Sequence, residues 1–479
     1  MGEYLTDKEL VPPVAEAYYS YGHAVEIDGD QVVVTAPGDD QAATDAGAAF
    51  VLGRNQGGPD NWGQVHKLIP TDAGAGDFFG QACAIDGNLV VVSSLQGDGS
   101  LSHGAVYFFD RTTGLQTAKR TIPNPKVFDF GKALDTDGTH VIVGAGKHWT
   151  DPNWLHVGVA YIFDAAGSLV HTLSPSDAHE LDSFGSAVAI DGNLCLVASP
   201  SKWLGFGAVY VFDVTTGAEL FKLMGSDAAM LNAFGYDVAL EGTRAIIGSP
   251  GSTTHDNSDG AAFLFDLTTG AELARFDTEV SAGSSAGLGT SVAIHGDYAF
   301  LGCPIPNDYT VPTAGRLYQV DLDYRYIMAW FVHPYHVPSM IASRVGYGVA
   351  TDGITIIDGY GDSSGGGILG QGRAHLMTRA QIGLGVDKES PASGETLTFN
   401  TRGGLIGGFC GSALVAVNGT PIAPWILPGS IGLFDGQGEW SFQGPVPPGL
   451  SGLVLTVMSG GLAKTGGFVL SNTRDISVL

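Results

Sequence analysis

Cysteine is scarce in this chain. Its four occurrences, Cys83, Cys195, Cys303 and Cys410, are scattered over 479 residues, too few and too widely spaced for a disulfide framework or a zinc site. The first three fall in different copies of a repeat described below, inside or just after apolar strands, and read as small buried core residues. Charge is sparse too, at 15%, and basic charge most of all: 22 Lys and Arg stand against 49 Asp and Glu, for a net charge of −27. So acidic a surface repels nucleic-acid phosphate and anionic lipid, which excludes both as partners. No apolar run is long enough to cross a membrane, so no membrane insertion is expected. Nor does a secretory leader open the chain, because Met1-Gly2 runs straight into the polar stretch Glu3–Glu9. That opening suits a cytoplasmic protein and equally a mature form whose leader has been removed. Nucleophile elbows and phosphate loops are missing as well. The sequence calls for no cofactor and no metal.

Glycine is plentiful, at 71 residues, and hydrophobic residues make up 44%. Together these predict many short strands joined by tight turns around sizeable cores, and a chain of this length needs more than one core. A repeat organises the strands. An aromatic-Gly pair comes first: Tyr21-Gly22, Phe79-Gly80, Phe130-Gly131, Phe184-Gly185 and Phe234-Gly235, weakening to Leu288-Gly289 and Val345-Gly346. An apolar strand, a turn glycine (Gly29, Gly87, Gly138, Gly192, Gly242, Gly296, Gly353) and a second apolar strand follow. After a variable loop, a third strand opens at Gly47, Gly104, Gly158, Gly207, Gly260, Gly315 or Gly372. Three residues on from each stands Phe50, Tyr107, Tyr161, Tyr210, Phe263, Tyr318 or His375. His375 takes an aromatic's place and reads as a core histidine.

In Ile190-Asp191-Gly192-Asn193-Leu194 the Asp-Gly pair sits where a two-residue hairpin requires positive φ. Thr112-Thr113-Gly114, Thr215-Thr216-Gly217 and Thr268-Thr269-Gly270 mark a second hairpin leading to a fourth strand such as Glu219–Leu223. Four antiparallel strands, repeated radially seven times, predict an all-β, seven-bladed β-propeller. The seventh copy lacks a fourth strand of its own. Lys8-Glu9-Leu10-Val11-Pro12 aligns with the fourth-strand segment His66-Lys67-Leu68-Ile69-Pro70, so residues near Tyr4–Val11 are expected to close blade seven. The propeller is assigned to residues 1–380. Residues 381–479 form a separate small β-sandwich, with short strands such as Thr396–Asn400, Ala413–Val417, Trp440–Gln443 and Leu453–Val457.

Over roughly Tyr4–Arg379 these residues resemble the FG-GAP repeats of integrin α-chain propellers and of many bacterial surface proteins. The resemblance implies the propeller fold and a secreted or cell-surface location; it is specific for fold and not for activity. Family members often carry a calcium loop between the first two strands. Here that place holds a bare two-residue turn (Asp28-Gly29, Asp86-Gly87, Asp137-Gly138, Asp191-Gly192, Glu241-Gly242, His295-Gly296, Asp352-Gly353). One carboxylate on a tight turn does not supply the six or more oxygens that calcium takes. The tail, with its Leu470-Ser471-Asn472, resembles the C-terminal module of secreted proteins from planctomycete-type bacteria.

Function on such a scaffold belongs to its loops. Those of blades three and four carry His148, Trp149, Trp154 and His156, then Trp203 and Phe206. Trp beside Asn, Asp and His suits stacking on a sugar or docking of a protein ligand. The same Trp residues equally suit packing of one loop on another. Asp39, Asp40 and Asp45, and Asp256 with Asp259, fit solvated turns better than an oxygen cage. Three readings of function remain. The first is an extracellular binding or adhesion protein with a glycan or protein ligand. The second is a polysaccharide lyase, for which His148, His156, Tyr309, Lys202 and Arg344 could serve as base and charge neutraliser. His333-Pro334-Tyr335-His336 is equally open to nomination, and reads more simply as a connector. The third is a structural surface or matrix component.

Overall fold

A computed structural model of the chain describes residues 4–10, 19–56, 58, 61–96, 103–124, 127–148, 157–253, 260–277, 287–304, 316–323, 325–332, 348–352, 355–360 and 373–379, and in the tail 383–386, 396–402, 409–417, 420–426, 432–433, 440–445, 454–462, 468–470 and 474–477. Seven four-stranded antiparallel sheets make the blades of a β-propeller. Blade four shows the unit: Val188–Asp191, Leu194–Ser199, Ala208–Asp213 and Glu219–Leu223, each strand paired with the next in sequence. Gly192 has φ of 56° with open space around it, as the hairpin between the first two strands requires. At the third-to-fourth hairpin the Gly217 N–H donates to the Asp213 carbonyl at 2.8 Å. The Asp213 carboxylate accepts from the Thr216 N–H and hydroxyl at 2.7 and 2.8 Å. Beyond this turn the register slips at Val211/Phe212, a bulge that recurs at the same place in blades one to six.

The seventh sheet runs Tyr4–Leu10, Arg373–Arg379, Thr355–Tyr360, Gly348–Thr351, so the N-terminal strand forms its outer edge. Leu10 is buried in one cluster with Ala374 and Leu376 of blade seven and Val25, Val32 and Phe50 of blade one. By contact density the chain divides into Glu9–Leu376 and a second unit made of Met377–Leu479 with Met1–Lys8. The tail strands form two antiparallel sheets. One joins Gly383–Val386, Thr396–Arg402 and Trp440–Pro445; the other is built around Phe409–Val417 and Val454–Leu462.

In blades two, four, five and six the aromatic-Gly marker, or Leu288-Gly289 in its place, binds the blade to the one before it. Gly47, Gly158, Gly207 and Gly260 form parallel bridges to Phe79, Phe184, Phe234 and Leu288 of the following blade. The backbones approach so closely that a Cβ on Gly207, at φ 82°, would lie 2.1 Å from the Phe234 carbonyl oxygen. The aromatic ring then turns edge-on to the third strand of its own blade: Phe184 meets Tyr210 and Phe212 at 5.5 and 6.0 Å, and Phe234 meets Phe263 and Phe265 at 5.3 and 5.9 Å. Such pairs contribute about 0.5–1.5 kcal/mol each beyond their burial. Cations of the fourth strand cover the same aromatics and grip a carboxylate. Lys119 lies over Tyr107 and pairs with Asp72, Lys222 over Tyr210 with Asp177, and Arg275 over Phe263 with Asp227.

Cys83, Cys195 and Cys303 are buried free thiols, and burial pushes the Cys195 thiol up to about 12. His375 is buried in the third strand of blade seven.

Candidate functional site

Two concavities stand out in the propeller, the axial channel and a hollow on the loop face. The channel, of about 430 Å³, is lined by the first strands of all seven blades. First strands have one free edge, and carboxylates satisfy its N–H groups across the gap between blades. Asp135 of blade three accepts from Ile190 N–H of blade four at 2.8 Å, Asp191 from Gly242 N–H of blade five at 2.6 Å, and Asp237 and Glu241 of blade five from Val292 and Gly296 N–H of blade six at 2.8 and 2.7 Å. These acids crowd one another in a narrow space. Burial, with the Asp135 charge behind it, pushes the Glu26 carboxyl up to about 8; burial likewise raises Asp135 to about 7 and Asp237 to about 6. Asp28 is held by the Arg111 guanidinium, which also bonds the Asp28 and Gly87 carbonyls. The turn carboxylates Asp28, Asp191 and Glu241 therefore act here as inter-blade fasteners, whereas Asp137 bonds Thr139 and His140 within its own turn. Among the described residues no group of three or more His, Cys, Asp or Glu is arranged to hold a metal ion.

The hollow, of about 1020 Å³, lies where the variable loop of blade four meets the linkers entering blades four and five. Both linkers repeat one pattern, Ser176-Asp177-Ala178 to Leu181-Asp182 and Ser226-Asp227-Ala228 to Leu231-Asn232. Each is anchored alike: Ser176 and Ser226 bond the carboxylates of Glu219 and Glu272 through backbone and hydroxyl. The variable loop is tied down by Lys202, whose ammonium is wholly buried, 2.6 Å from Asp182 and 3.1 Å from Asp177. Burial raises the Asp177 carboxyl, but bonds from Lys222, Tyr210 and Lys202 outweigh it and hold the group well below the usual carboxylate range. Gly207 N–H donates to the Lys202 carbonyl and Ala233 N–H to the Gly205 carbonyl, joining the loop to the linker before blade five.

On this polar base sits an apolar surface. Of the ten large hydrophobic residues exposed among the described residues, six line the hollow: Leu181, Trp203, Leu204, Met230, Leu231 and Tyr236. Leu204 and Leu231 are 72% and 73% exposed. Four of the six are also in the left-handed region, with φ of 68° at Leu181, 50° at Trp203, 66° at Leu204 and 66° at Leu231. Non-glycine residues pay roughly 1–2 kcal/mol there. The linker before blade two shows that the fold needs no leucine at this point, since it places Gly76, at φ 78°, three residues before Phe79, as Leu181 and Leu231 stand before Phe184 and Phe234. Leucine there is both strained and exposed, a combination that points to function.

Trp203 thus stands on the wall of the hollow, 46% exposed, with the Lys222 ammonium 3.8 Å from its ring centroid. Phe206 is half-buried beside it. His148 ends the short strand Lys147–His148, opposite Val127. Trp149, Trp154 and His156 lie outside the described residues, as do Asp256, Asp259, Tyr309, His333, His336 and Arg344. Asp39 is buried and taken up by the Tyr19 hydroxyl and the Lys67 ammonium, at 2.5 and 2.6 Å, while Asp40 accepts from the Asp45 N–H. Lys202, nominated as a charge neutraliser, is committed to its two aspartates. Sequence reasoning missed the leucines and Met230. The signal available was a leucine standing where another copy of the repeat has glycine.

The FG-GAP repeat profile matches residues 6–52, 62–109, 168–212 and 218–265. Each match starts on, or one residue before, the fourth strand of one blade and ends within the third strand of the next. The chain carries FG-GAP repeats. Repeats of this family typically occur in extracellular or surface proteins, and their propellers commonly bind protein ligands. In this FG-GAP chain no helix among the described residues is long and apolar enough to cross a membrane. No curated protein matches it. Solved structures that do match include a fungal alcohol oxidase of the AA5 family in complex with copper, at 12% identity, TM-score 0.45 and 99% coverage of both chains. Others are the propeller domain of the Trilobed protease from Pyrococcus furiosus, at 12%, 0.42, and 72% and 90% coverage, and Pyrococcus horikoshii acylaminoacyl peptidase, at 10%, 0.45, and 81% and 58%. Likenesses of that size carry no argument about activity.

Proposed function

We propose that this FG-GAP propeller is an extracellular or cell-surface binding protein whose ligand seats in the hollow between blades four and five. The observation that carries this is the set of six exposed apolar side chains there, four of them in the left-handed region, where the linker before blade two places glycine at the position of Leu181 and Leu231. Of the two ligand classes the sequence points to, the lining favours protein over glycan. A sugar needs hydrogen-bond partners for its hydroxyls, and the walls are mainly leucine, methionine, tryptophan, alanine, proline and tyrosine. Apolar anchors of a partner would bury against Leu204 and Leu231 and expel water, the usual source of interface energy.

Trp203 provides the readout. Its fluorescence should shift and quench when a leucine-rich peptide is titrated in, and Trp203→Ala should weaken binding by about 1–3 kcal/mol with little change in melting temperature. Loss of thermal stability without any loss of binding would return Trp203 to a packing role. A response to neutral oligosaccharides but not to peptides would restore the glycan reading.

A further inference from the structure

The hollow is concave, apolar and set in an acidic protein, and these three properties together select its occupant. A concavity of about 1020 Å³ accepts a ridge of protruding side chains. A lipid surface offers no such ridge, being flat on this scale, and the leucines lie on the walls of a cleft instead of on a wedge that could enter a bilayer. A second copy of this chain would bring −27 against −27.

Charge at the site carries the sign of the whole. The two ammonium groups beside the hollow are already neutralised: Lys202 by Asp182 and Asp177, and Lys222 by Asp177, with its face on the Trp203 ring. Glu180 stands exposed on the wall next to Leu181, leaving the neighbourhood with more carboxylates than cations. Resting on the binding reading above, we propose that the hollow docks a segment of a partner protein in which apolar anchor residues are flanked by lysine or arginine. The anchors fill the cleft, while the flanking cations meet Glu180 and the acidic field around it. Steering of this kind raises the association rate and rejects acidic competitors.

The test uses the full chain and three short fluorescent peptides sharing one leucine- and phenylalanine-rich core, flanked by lysines, by serines or by glutamates. Binding is read by polarisation. The lysine-flanked peptide is expected to bind at least about tenfold more tightly than the glutamate-flanked one. That gap should shrink in roughly 1 M salt, where screening reaches a few ångströms. Leu204→Asn with Leu231→Asn should lose all three peptides without unfolding, since asparagine accepts the left-handed backbone. Glu180→Gln should narrow the gap between lysine and glutamate flanks. Equal affinity for lysine and glutamate flanks overturns the charge inference and leaves the binding reading standing. If the folded parent binds none of the peptides, the binding reading fails and the inference with it. Phosphatidylcholine vesicles form the last arm: capture of vesicles by a protein that ignores the lysine peptide overturns the proposal in favour of a lipid surface.

Discussion

At the scale of single residues, Leu231 carries the clearest conflict between stability and surface. Its φ of 66° disfavours a branched side chain, and 73% exposure leaves that side chain little packing in return. Asparagine suits the same backbone and removes the apolar surface. Leu231→Asn is therefore expected to melt no lower than the parent, with a gain of up to about 1 kcal/mol. Leu181→Asn should behave the same way. A calorimetric scan decides the matter, and a clear drop in melting temperature would mean that these leucines hold the linkers together. Trp203 differs from them. The Lys222 ammonium over its ring and the buried Lys202 beneath give it a fixed pose, so it serves as a rigid wall.

At the scale of the element, the repeat glycines fall into two classes that share a sign of φ and differ in surroundings. Gly192 stands in open space at a hairpin, while Gly207 abuts the Phe234 backbone. Gly192→Ala should cost about 1 kcal/mol, the left-handed penalty alone. Gly207→Ala adds a collision with backbone that cannot yield without parting blades four and five, and should cost about 3 kcal/mol or more. Equal denaturation midpoints for the two variants would show that the bridge contributes nothing to blade cohesion. This difference also explains what could be read from sequence. The turn glycine answers a backbone demand at a hairpin, and the aromatic-Gly pair and the glycine opening the third strand answer one at the blade-to-blade bridge; both demands return with the repeat, so these residues recur visibly and give the fold, including its closure by Tyr4–Leu10. The fasteners of the channel answer demands between blades. Asp191 and Glu241 are themselves turn acids, but Asp135 stands two residues before its turn acid and Asp237 four before Glu241, so no single spacing betrays the set. The hollow was half visible. Trp203 stands out in the sequence as a loop tryptophan, whereas nothing marks Leu181 and Leu231 off from the many other leucines of the chain.

Across the whole molecule, the ring of carboxylates around the axis makes stability depend on pH. Glu26, Asp135 and Asp237 all titrate higher in the folded protein than in an unfolded chain, towards about 8, 7 and 6. Between their unfolded values and these, the folded state holds more protons than the unfolded one, so stability rises as pH falls through that window and is lost as pH rises through the folded values. Asp177 has the opposite sign, its bonds weakening only under strong acid as it becomes protonated. Melting temperature should therefore climb from alkaline to mildly acidic pH before falling again. Glu26→Gln should raise it at pH above about 8, by about 2 °C or more, and leave it nearly unchanged near pH 5. A variant that melts lower than the parent at alkaline pH would mean that the Glu26 charge supports the ring instead of straining it.

The phase of the repeat has a bearing on descent. Each FG-GAP unit begins on the outermost strand of one blade and ends near the third strand of the next, so every internal blade is shared between two units. Duplicating or excising one whole unit in a gene of this kind leaves no blade short of a strand, because the flanking units supply the missing parts. Copy number can then drift by single steps, and each product inherits an N-terminal strand ready to fill the gap in its last blade.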